Sequence, residues 1–375
     1  MVEGLRRSAG KHFNVIVLGG GPAGTAIAIS LAARGCTVAV LERSQYDRMR
    51  VGETLPPSIL PSLNALGLCE RFQREDNVAS SGVVCVWGDE EPYDNDYIWS
   101  PYGNGWQIDR RGFDKMLAEA ADAAGARVYR AVRIKSCSSD GARKWHMNLV
   151  VDHVTMQLSA DYLVVATGRS SPSVSGTNYR FTYDRLIAVV AFIKVSGLVS
   201  DTRTLVEASE NGWWYSAYLP RNALVISYLT DYELLSQDRA GCTEGWLDLL
   251  RQAPYTSQRL AACDWQGPLR VVAANTYRRQ RIVGVNYLFV GDAAAAIDPL
   301  SGHGISNAIE ASGVVAPAII GYLDGDRSGL ENYVTWVEAR FVDDLKARAK
   351  YYALEKRWPR SQFWQRRQIA FEATN

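Results

Sequence analysis

Three glycines spaced Gly19-x-Gly21-x-x-Gly24 follow the apolar run FNVIVL and lead into TAIAISLAARG, with Pro22 and Ala23 inside the motif. A strand, a glycine turn and a helix in that order suit the pyrophosphate of a dinucleotide. Gly19 allows a tight turn, and Gly21 lets the backbone approach the phosphates. Gly24 lets the helix pack on the sheet with its positive end aimed at the charge. Glu42 ends the next apolar run, CTVAVLE. A carboxylate there accepts hydrogen bonds from a ribose diol and repels a 2′-phosphate. A second cluster reads Gly291-Asp292-Ala293-Ala294, then Asp298-Pro299-Leu300-Ser301-Gly302-His303-Gly304-Ile305. Asp292 suits a ribityl or ribose hydroxyl. Gly302 and Gly304 leave amides free beside a flat ring. The helix that begins there turns its positive end towards negative charge on that ring, as on a reduced flavin. His303 in this loop and Glu53 in the turn Gly52-Glu53-Thr54-Leu55-Pro56-Pro57 are candidate acid–base groups. A hydrogen-bonded loop histidine and a turn carboxylate are their plainer readings.

The elements that must hold these residues are legible in the patterning. FNVIVL (13–18) reads as a buried parallel strand, the run after Gly24 as a helix stopped at Gly35, and residues 36–42 as a second strand. Residues 58–76 look helical, and 81–106 look like sheet and loop. Arg110 to Ala124 is an amphipathic helix ended by Gly125, and strands follow at 126–136 and 145–166. Residues 178–230 are strand-rich, 231–262 helical, and the last forty helical and basic. The fold class is α/β. A discontinuous Rossmann-like domain (1–77, 106–177 and 271–335) carries a mixed-sheet substrate domain (78–105 and 178–270), with a C-terminal helical segment (336–375). The 375 residues are 47% apolar and 22% charged, ordinary for a globular chain, and the net charge of +1 gives no field that would gather nucleic acid. Six scattered cysteines without a C-x-x-C pair, and only four histidines, argue against zinc and for reduced, mostly buried thiols. Arg6, Arg7 and Lys11 before an apolar run mimic an export signal, but a strand and its glycine turn explain them better. No run of about 18 apolar residues lacks glycine or charge, so no membrane is expected, and the expected location is cytoplasmic.

GGGPAG, Glu42, the segment Asp109-Arg110-Arg111-Gly112-Phe113-Asp114 and GDAA…DPLSGHG together resemble the p-hydroxybenzoate-hydroxylase-like FAD enzymes, which include flavin monooxygenases and flavin-dependent halogenases. The resemblance runs over nearly the whole chain. It implies that FAD is the cofactor, that Glu42 holds the adenosine ribose, that Arg110 lies along the FAD chain, and that Asp292 binds the ribityl-diphosphate region. Arg43, Arg50, Pro299 and Ile305 carry over on the same basis. The usual Asp-Gly motif is altered, to Ala166-Thr167-Gly168-Arg169-Ser170-Ser171, and no second dinucleotide unit for NAD(P)H is present.

GETLPP looks like the halogenase side of the family. The halogenase W-x-W-x-I-P motif, however, meets Gly212-Trp213-Trp214-Tyr215-Ser216-Ala217-Tyr218-Leu219-Pro220, and no lysine stands between Lys11 and Lys115, where the relay lysine would fall. The closer likeness is to the halogenase-like flavoproteins of the LodB, GoxB and QhpG type, which mature tryptophylquinone-containing oxidases. It rests on GETLPP, Trp87-Gly88, GWxxDRxxFD, GWWYS, DPLSGxGI and the aromatic-basic end from Glu355 to Arg367. Tyr218 departs from an expected proline. The likeness implies an FAD-dependent monooxygenase that hydroxylates a tryptophan of a partner protein, a quinone-cofactor oxidase precursor. It would use O₂ and an external reductant such as NAD(P)H or reduced flavin. A hydroxylase or halogenase of a free aromatic metabolite and a non-catalytic flavin-bound chaperone stay open. Trp106, Trp213, Trp214 and Tyr215 are candidates for the substrate cleft, against plain packing. Lys346, Arg348, Lys350, Lys356, Arg357, Arg366 and Arg367 are either a docking face for an acidic partner or a solvated helix face.

Overall fold

The structure, a computed structural model, describes residues 10–141, 144–170, 179–196, 199–261, 265 and 267–372. Arg6, Arg7, Ser171, Cys263 and the expected boundary at 177 lie outside them. The chain begins with β1 (Lys11–Leu18), the helix Pro22–Ala32 and β2 (Val38–Leu41). Val15, Ile16, Val17, Val38 and Val40 are all at most 1% exposed, so successive side chains are buried and both faces of the sheet they form are covered. Each such side chain stabilises the fold by about 1.5–3 kcal/mol. Pro22 opens the helix, where its missing N–H costs nothing.

Next come β3 (Thr54–Leu55), the short helices Ile59–Ala65 and Cys69–Arg74, β4 (Val78–Ser80), β5 (Gly82–Val86), β6 (Tyr93–Asp96) and β7 (Gly105–Gln107). The helix expected over 58–76 is thus two, separated by a turn at Gly67 with φ +68°. The helix Arg110–Ala123 is capped by the Asp109 side chain, which accepts the Arg111 N–H at 3.0 Å, a contact worth about 1 kcal/mol. Gly125, at φ +102°, stops it. Strands β8 (Arg127–Tyr129), β9 (Arg133–Ser139), β10 (Trp145–Val151) and β11 (Val154–Val165) follow.

The first seven-stranded sheet runs β8-β2-β1-β11-β10-β9, and a late strand, Tyr287–Phe289, joins beside the end of β11. Around β1 the neighbours are parallel, while β9, β10 and β11 form an antiparallel meander. The second sheet is built from β5 and β6 together with β13 (Leu186–Lys194), β14 (Thr204–Ser209), β15 (Gly212–Leu219), β16 (Ala223–Asp231) and β17 (Arg270–Ala273), which follow the short β12 (Arg180–Thr182). Its order is β17-β13-β16-β15-β14-β5-β6, antiparallel but for β5 beside β14. Helices Thr243–Arg251 and Pro254–Ala261 lie against it. Two three-stranded sheets, β3-β7-β4 and β12-β18-β20, complete the set, with β18 (Tyr277–Arg279), β19 (Tyr287–Phe289) and β20 (Ala295–Ala296).

The chain ends in helices Gly304–Leu323, Ser328–Leu354 and Gln362–Glu372. The second of these runs unbroken through 335 and 336, where the sequence suggests a boundary. Gly304–Leu323 is apolar and long enough to cross a membrane, but half of it is buried, and it packs between Pro22–Ala32 and Ser328–Leu354. Among the described residues Cys36, Cys69, Cys85 and Cys137 are half-buried free thiols and Cys242 is exposed, so the expectation of mostly buried cysteines is too strong. No metal-binding cluster occurs among the described residues.

Candidate active site

Register brings the glycine turns together. Leu18 of β1 pairs with Leu41 of β2 and Val165 of β11, and Val165 pairs with Phe289 of β19. Gly19, Glu42, Ala166 and Val290 therefore leave the sheet at one level, outside the carboxyl ends of parallel strands. A Cβ on Gly19 would fall 2.4 Å from the Ala166 carbonyl oxygen, and one on Gly24 would fall 2.0 Å from the Gly19 carbonyl oxygen. Those two glycines serve chain packing. At Gly21, Gly302 and Gly304 a Cβ would meet nothing within 4 Å, so their faces are open to a ligand. Ala23 joins the two motifs, its methyl 3.1 Å from the position of a Cβ on Gly291. Such a cradle fits a dinucleotide.

Glu42 is 4% exposed. One of its oxygens accepts the Gly20 N–H at 2.7 Å, and the other accepts from Ser44 N, Ser44 Oγ and Arg50. Burial alone would raise its pKa, but these donors outweigh burial and hold the carboxyl below its usual range. Arg50 also reaches Asp114, which is 1% exposed on its side chain and binds Arg110 as well. Arg110 donates onward to the Val51 carbonyl. Asp114, the last residue of the DRxxFD segment, is thus the hub that holds both arginines beside the cofactor groove. Arg43 is exposed, with no ion pair among the described residues. Sequence reading missed Tyr46, which donates to the Gly20 carbonyl at 2.9 Å and stands at φ +59°. It missed Gly20 too, where a Cβ would strike the Tyr46 hydroxyl. A tyrosine in a left-handed turn carries no sequence signal.

Asp292 is partly exposed and ion-paired with Arg169 at 3.4 Å, the arginine of the altered Ala166–Ser171 motif. In the DPLSGHG loop, Pro299 starts a short 3₁₀ turn and Gly302 closes it at φ +69°. Its anchor is Asp298, fully buried, which accepts from Leu300 N, Tyr352 Oη at 2.7 Å and Arg348 Nε at 3.2 Å. Trp213 Nε1 donates in turn to Tyr352 Oη at 3.0 Å. Nothing in the local sequence joins residue 298 to 352. His303 is exposed at the start of the following helix.

Glu53 lies on the other side of the cleft. It is 3% exposed; Oε2 accepts the Gly52 N–H at 2.9 Å, and Oε1 is buried without a partner. Burial, only partly offset by Arg110 and local N–H groups, pushes its pKa up to about 7. It lines a cleft of about 380 Å³, part of it open to solvent, with Arg50, Arg110, Phe192, Leu219 and Arg221. The Ile305 side chain approaches the adjoining Gly52. Because the folded pKa lies above the ordinary 4.5, the contribution of Glu53 to stability is present at acidic pH and lost as pH rises through about 7. Glu53→Gln is therefore expected to match wild type at about pH 4, below the unfolded value, and to exceed it in urea unfolding at about pH 8.

Of the four aromatic cleft candidates, Tyr215 alone faces this region. Its hydroxyl is 2.7 Å from Thr54 Oγ1, next to Glu53. Trp213 and Trp214 alternate along β15 and are buried on opposite faces, at 1% and 0% exposure. Trp213 packs with Trp87, Tyr352 and Trp364, and Trp214 with Tyr228 and Trp246. Neither can line a cleft, because both faces of this sheet are covered. Trp106 packs edge-on against Phe72, its ring N–H buried and unpartnered. The basic C-terminal residues divide: Lys346, Lys350, Lys356 and Arg366 are exposed, Arg348 and Arg357 are part-buried, and Arg367 is buried. Arg348 pairs with Asp184 and Asp298, Arg357 with Glu355, and Arg366 and Arg367 with Asp231.

This geometry agrees with known proteins. The family model described as an FAD binding domain matches residues 12–340. The FAD-dependent oxidoreductase LodB of Marinomonas mediterranea is 28% identical over 97% of this chain and 98% of its own. The myxobacterial chondrochloren halogenase CndH superposes with a TM-score of 0.86 at 24% identity, covering 96% of this chain and 86% of the other. QhpG, a peptidyl tryptophan dihydroxylase essential for tryptophylquinone cofactor biogenesis, superposes with a TM-score of 0.74 at 22% identity, over 95% and 79%. FAD is the cofactor that the cradle accepts, and the chain belongs to the FAD-binding family of flavin monooxygenases and halogenases.

Proposed function

We propose that this FAD-dependent oxidoreductase is a monooxygenase that hydroxylates a tryptophan side chain of a partner protein during tryptophylquinone cofactor biogenesis. The observation that carries the reading is the make-up of the cleft. It offers a buried carboxylate with a free oxygen, Glu53, and arginines, but its lining holds no lysine to relay a halogenating species. The length-wide likeness to LodB and the fold shared with QhpG support a polypeptide substrate over a free metabolite.

Bound FAD, once reduced, supplies the activated oxygen from O₂. Gly21, Glu42 and the Asp114-held arginines bind and orient it, while Asp298 fixes the loop that carries Gly302 and Gly304. An electron-rich indole needs no protein nucleophile for electrophilic oxygenation. It does need a base for the ring proton, and Glu53 Oε1, half ionised near neutral pH, takes that role. Tyr215 and Thr54 fix the polar wall beside it. Intact-mass spectrometry of the co-expressed partner oxidase tests the reading. Added oxygen on a partner tryptophan is expected with the wild-type protein and not with Asp292→Ala. A partner unmodified in both samples would sink the proposal and favour a free aromatic substrate.

A further inference from the structure

The mixed sheet ends in β6, and all four of its residues are exposed. The chain then turns through a 3₁₀ turn, Tyr97–Trp99, that is firmly held. Tyr97 N–H donates to Ser81 O at 2.7 Å, Ser100 N–H to Tyr97 O at 2.8 Å, and Gly103 N–H to Ser100 O at 3.1 Å. The Tyr97 ring packs inward on Gly105. This ordered finger nevertheless displays Ile98 at 78% exposure and Trp99 at 91%, flanked by half-exposed Tyr93 and Tyr102. Monomeric proteins rarely present adjoining large apolar groups on a fixed support without a partner for them.

The charge around the finger selects the partner. Asp89, Glu90, Glu91, Asp94 and Asp96 are exposed, and residues 89–104 contain no lysine or arginine. Arg203 pairs with Asp94 at 2.8 Å and reaches Asp96 at 4.0 Å, which leaves the acidic excess at 89–91. A second copy docking by the same finger would bring acid against acid, and an anionic membrane would be repelled. A basic polypeptide would be attracted. An edge strand offers its open backbone groups to an extended segment. The finger also borders the candidate site. β7 follows it and pairs with Thr54, and Tyr97 is among the groups acting on the Tyr215 hydroxyl.

We infer that β6 and the Ile98–Trp99 turn form a docking surface for an extended, lysine- or arginine-rich polypeptide segment that pairs along β6 and covers Trp99. The inference deepens the protein-substrate reading and rests on it for its purpose, but its test needs no turnover. The FAD-loaded full-length protein is titrated with a short fluorescein-labelled peptide of alternating lysine and valine, and with its glutamate–valine counterpart. The lysine peptide is expected to bind about tenfold tighter, and to lose affinity as salt rises from about 0.05 to about 0.5 M. It should also slow amide exchange at residues 93–96. The exposed double variant Ile98→Ser/Trp99→Ser is expected to weaken it about tenfold with the flavin spectrum unchanged. Equal binding of both peptides, binding of neither, an unaffected double variant or protection elsewhere would each overturn the inference. A wild-type dimer that the double variant dissociates would overturn it in favour of a second copy. Loss of partner oxygenation with peptide binding intact would instead count against the proposed function alone.

Discussion

Gly24→Ala is expected to lower thermal stability and abolish FAD retention together, while Gly21→Val leaves the melting temperature of the cofactor-free chain near wild type and loses FAD alone. A methyl on Gly24 sits 2.0 Å from the Gly19 carbonyl oxygen and 3.1 Å from both the Ala166 Cβ and the Val17 Cγ1. Its immediate obstacle is backbone, which has no rotamer to yield, so helix Pro22–Ala32 must lift from β1. Overpacking of this sort costs about 1–3 kcal/mol or more. The turn that presents Gly21 moves with the helix. At Gly21 the same addition points into open space, and the group it displaces is the cofactor's phosphate. Thermal melts of cofactor-free protein and the absorbance of flavin released after purification read the two effects separately. Loss of stability by both variants to the same degree would refute this division of labour.

Arg367→Met is expected to be the most destabilising change at the C-terminus, by about 3–5 kcal/mol, because it strands Asp231 inside the protein. Both partners are 3% exposed, and Arg367 meets the carboxylate with two nitrogens, at 2.7 and 3.3 Å. Arg366, half exposed, shares Asp231 and only partly compensates. Burial alone would raise the pKa of Asp231, but its hydrogen bonds and ion pairs with Arg367 and Arg366 outweigh burial and hold it below the usual range. A lowered pKa gives stability that is present above the unfolded value, near 4, and lost as pH falls through the folded one. Denaturant unfolding of the wild type should therefore weaken below about pH 4, and the variant should lack that part of the slope. The double variant Asp231→Asn/Arg367→Met should recover much of the loss, since no buried charge is left unpaired.

What could be read from sequence follows the range of the interactions. The strand–turn–helix at 13–32 is local and apolar on every side, and its register alone levels Gly19 with Glu42. The DRxxFD helix shows its cap and stop within its own residues. The GWWYS stretch is different. Alternation along β15 places Trp213 and Trp214 on opposite faces, and only the return of the C-terminal helices and the Thr243–Arg251 helix buries both. Within the basic end, Arg348 and Arg367 could not be told from their exposed neighbours Lys346, Lys350 and Arg366, because the acids that draw them inward, Asp184, Asp231 and Asp298, lie far back in the chain. Trp87-Gly88 gains its meaning only in space. Trp87 Nε1 donates to Tyr351 O, and Gly88, at φ +80°, gives room for the Leu354 carbonyl.

The tie from Asp298 to Arg348 and Tyr352 sets an order of assembly during synthesis. β1 emerges first, but its neighbour β11 arrives more than a hundred residues later, and β19 later still. The loop bearing Gly302 and Gly304 stays without its anchors until the helix carrying Tyr352 has left the ribosome, and Trp364 then seals that contact from the last helix. The nascent chain thus holds a nearly complete first sheet that cannot yet close around a flavin. Pairings this distant in sequence form slowly and leave apolar surface open in the meantime. Slower translation and lower growth temperature should therefore raise the yield of flavin-loaded protein more than added riboflavin does.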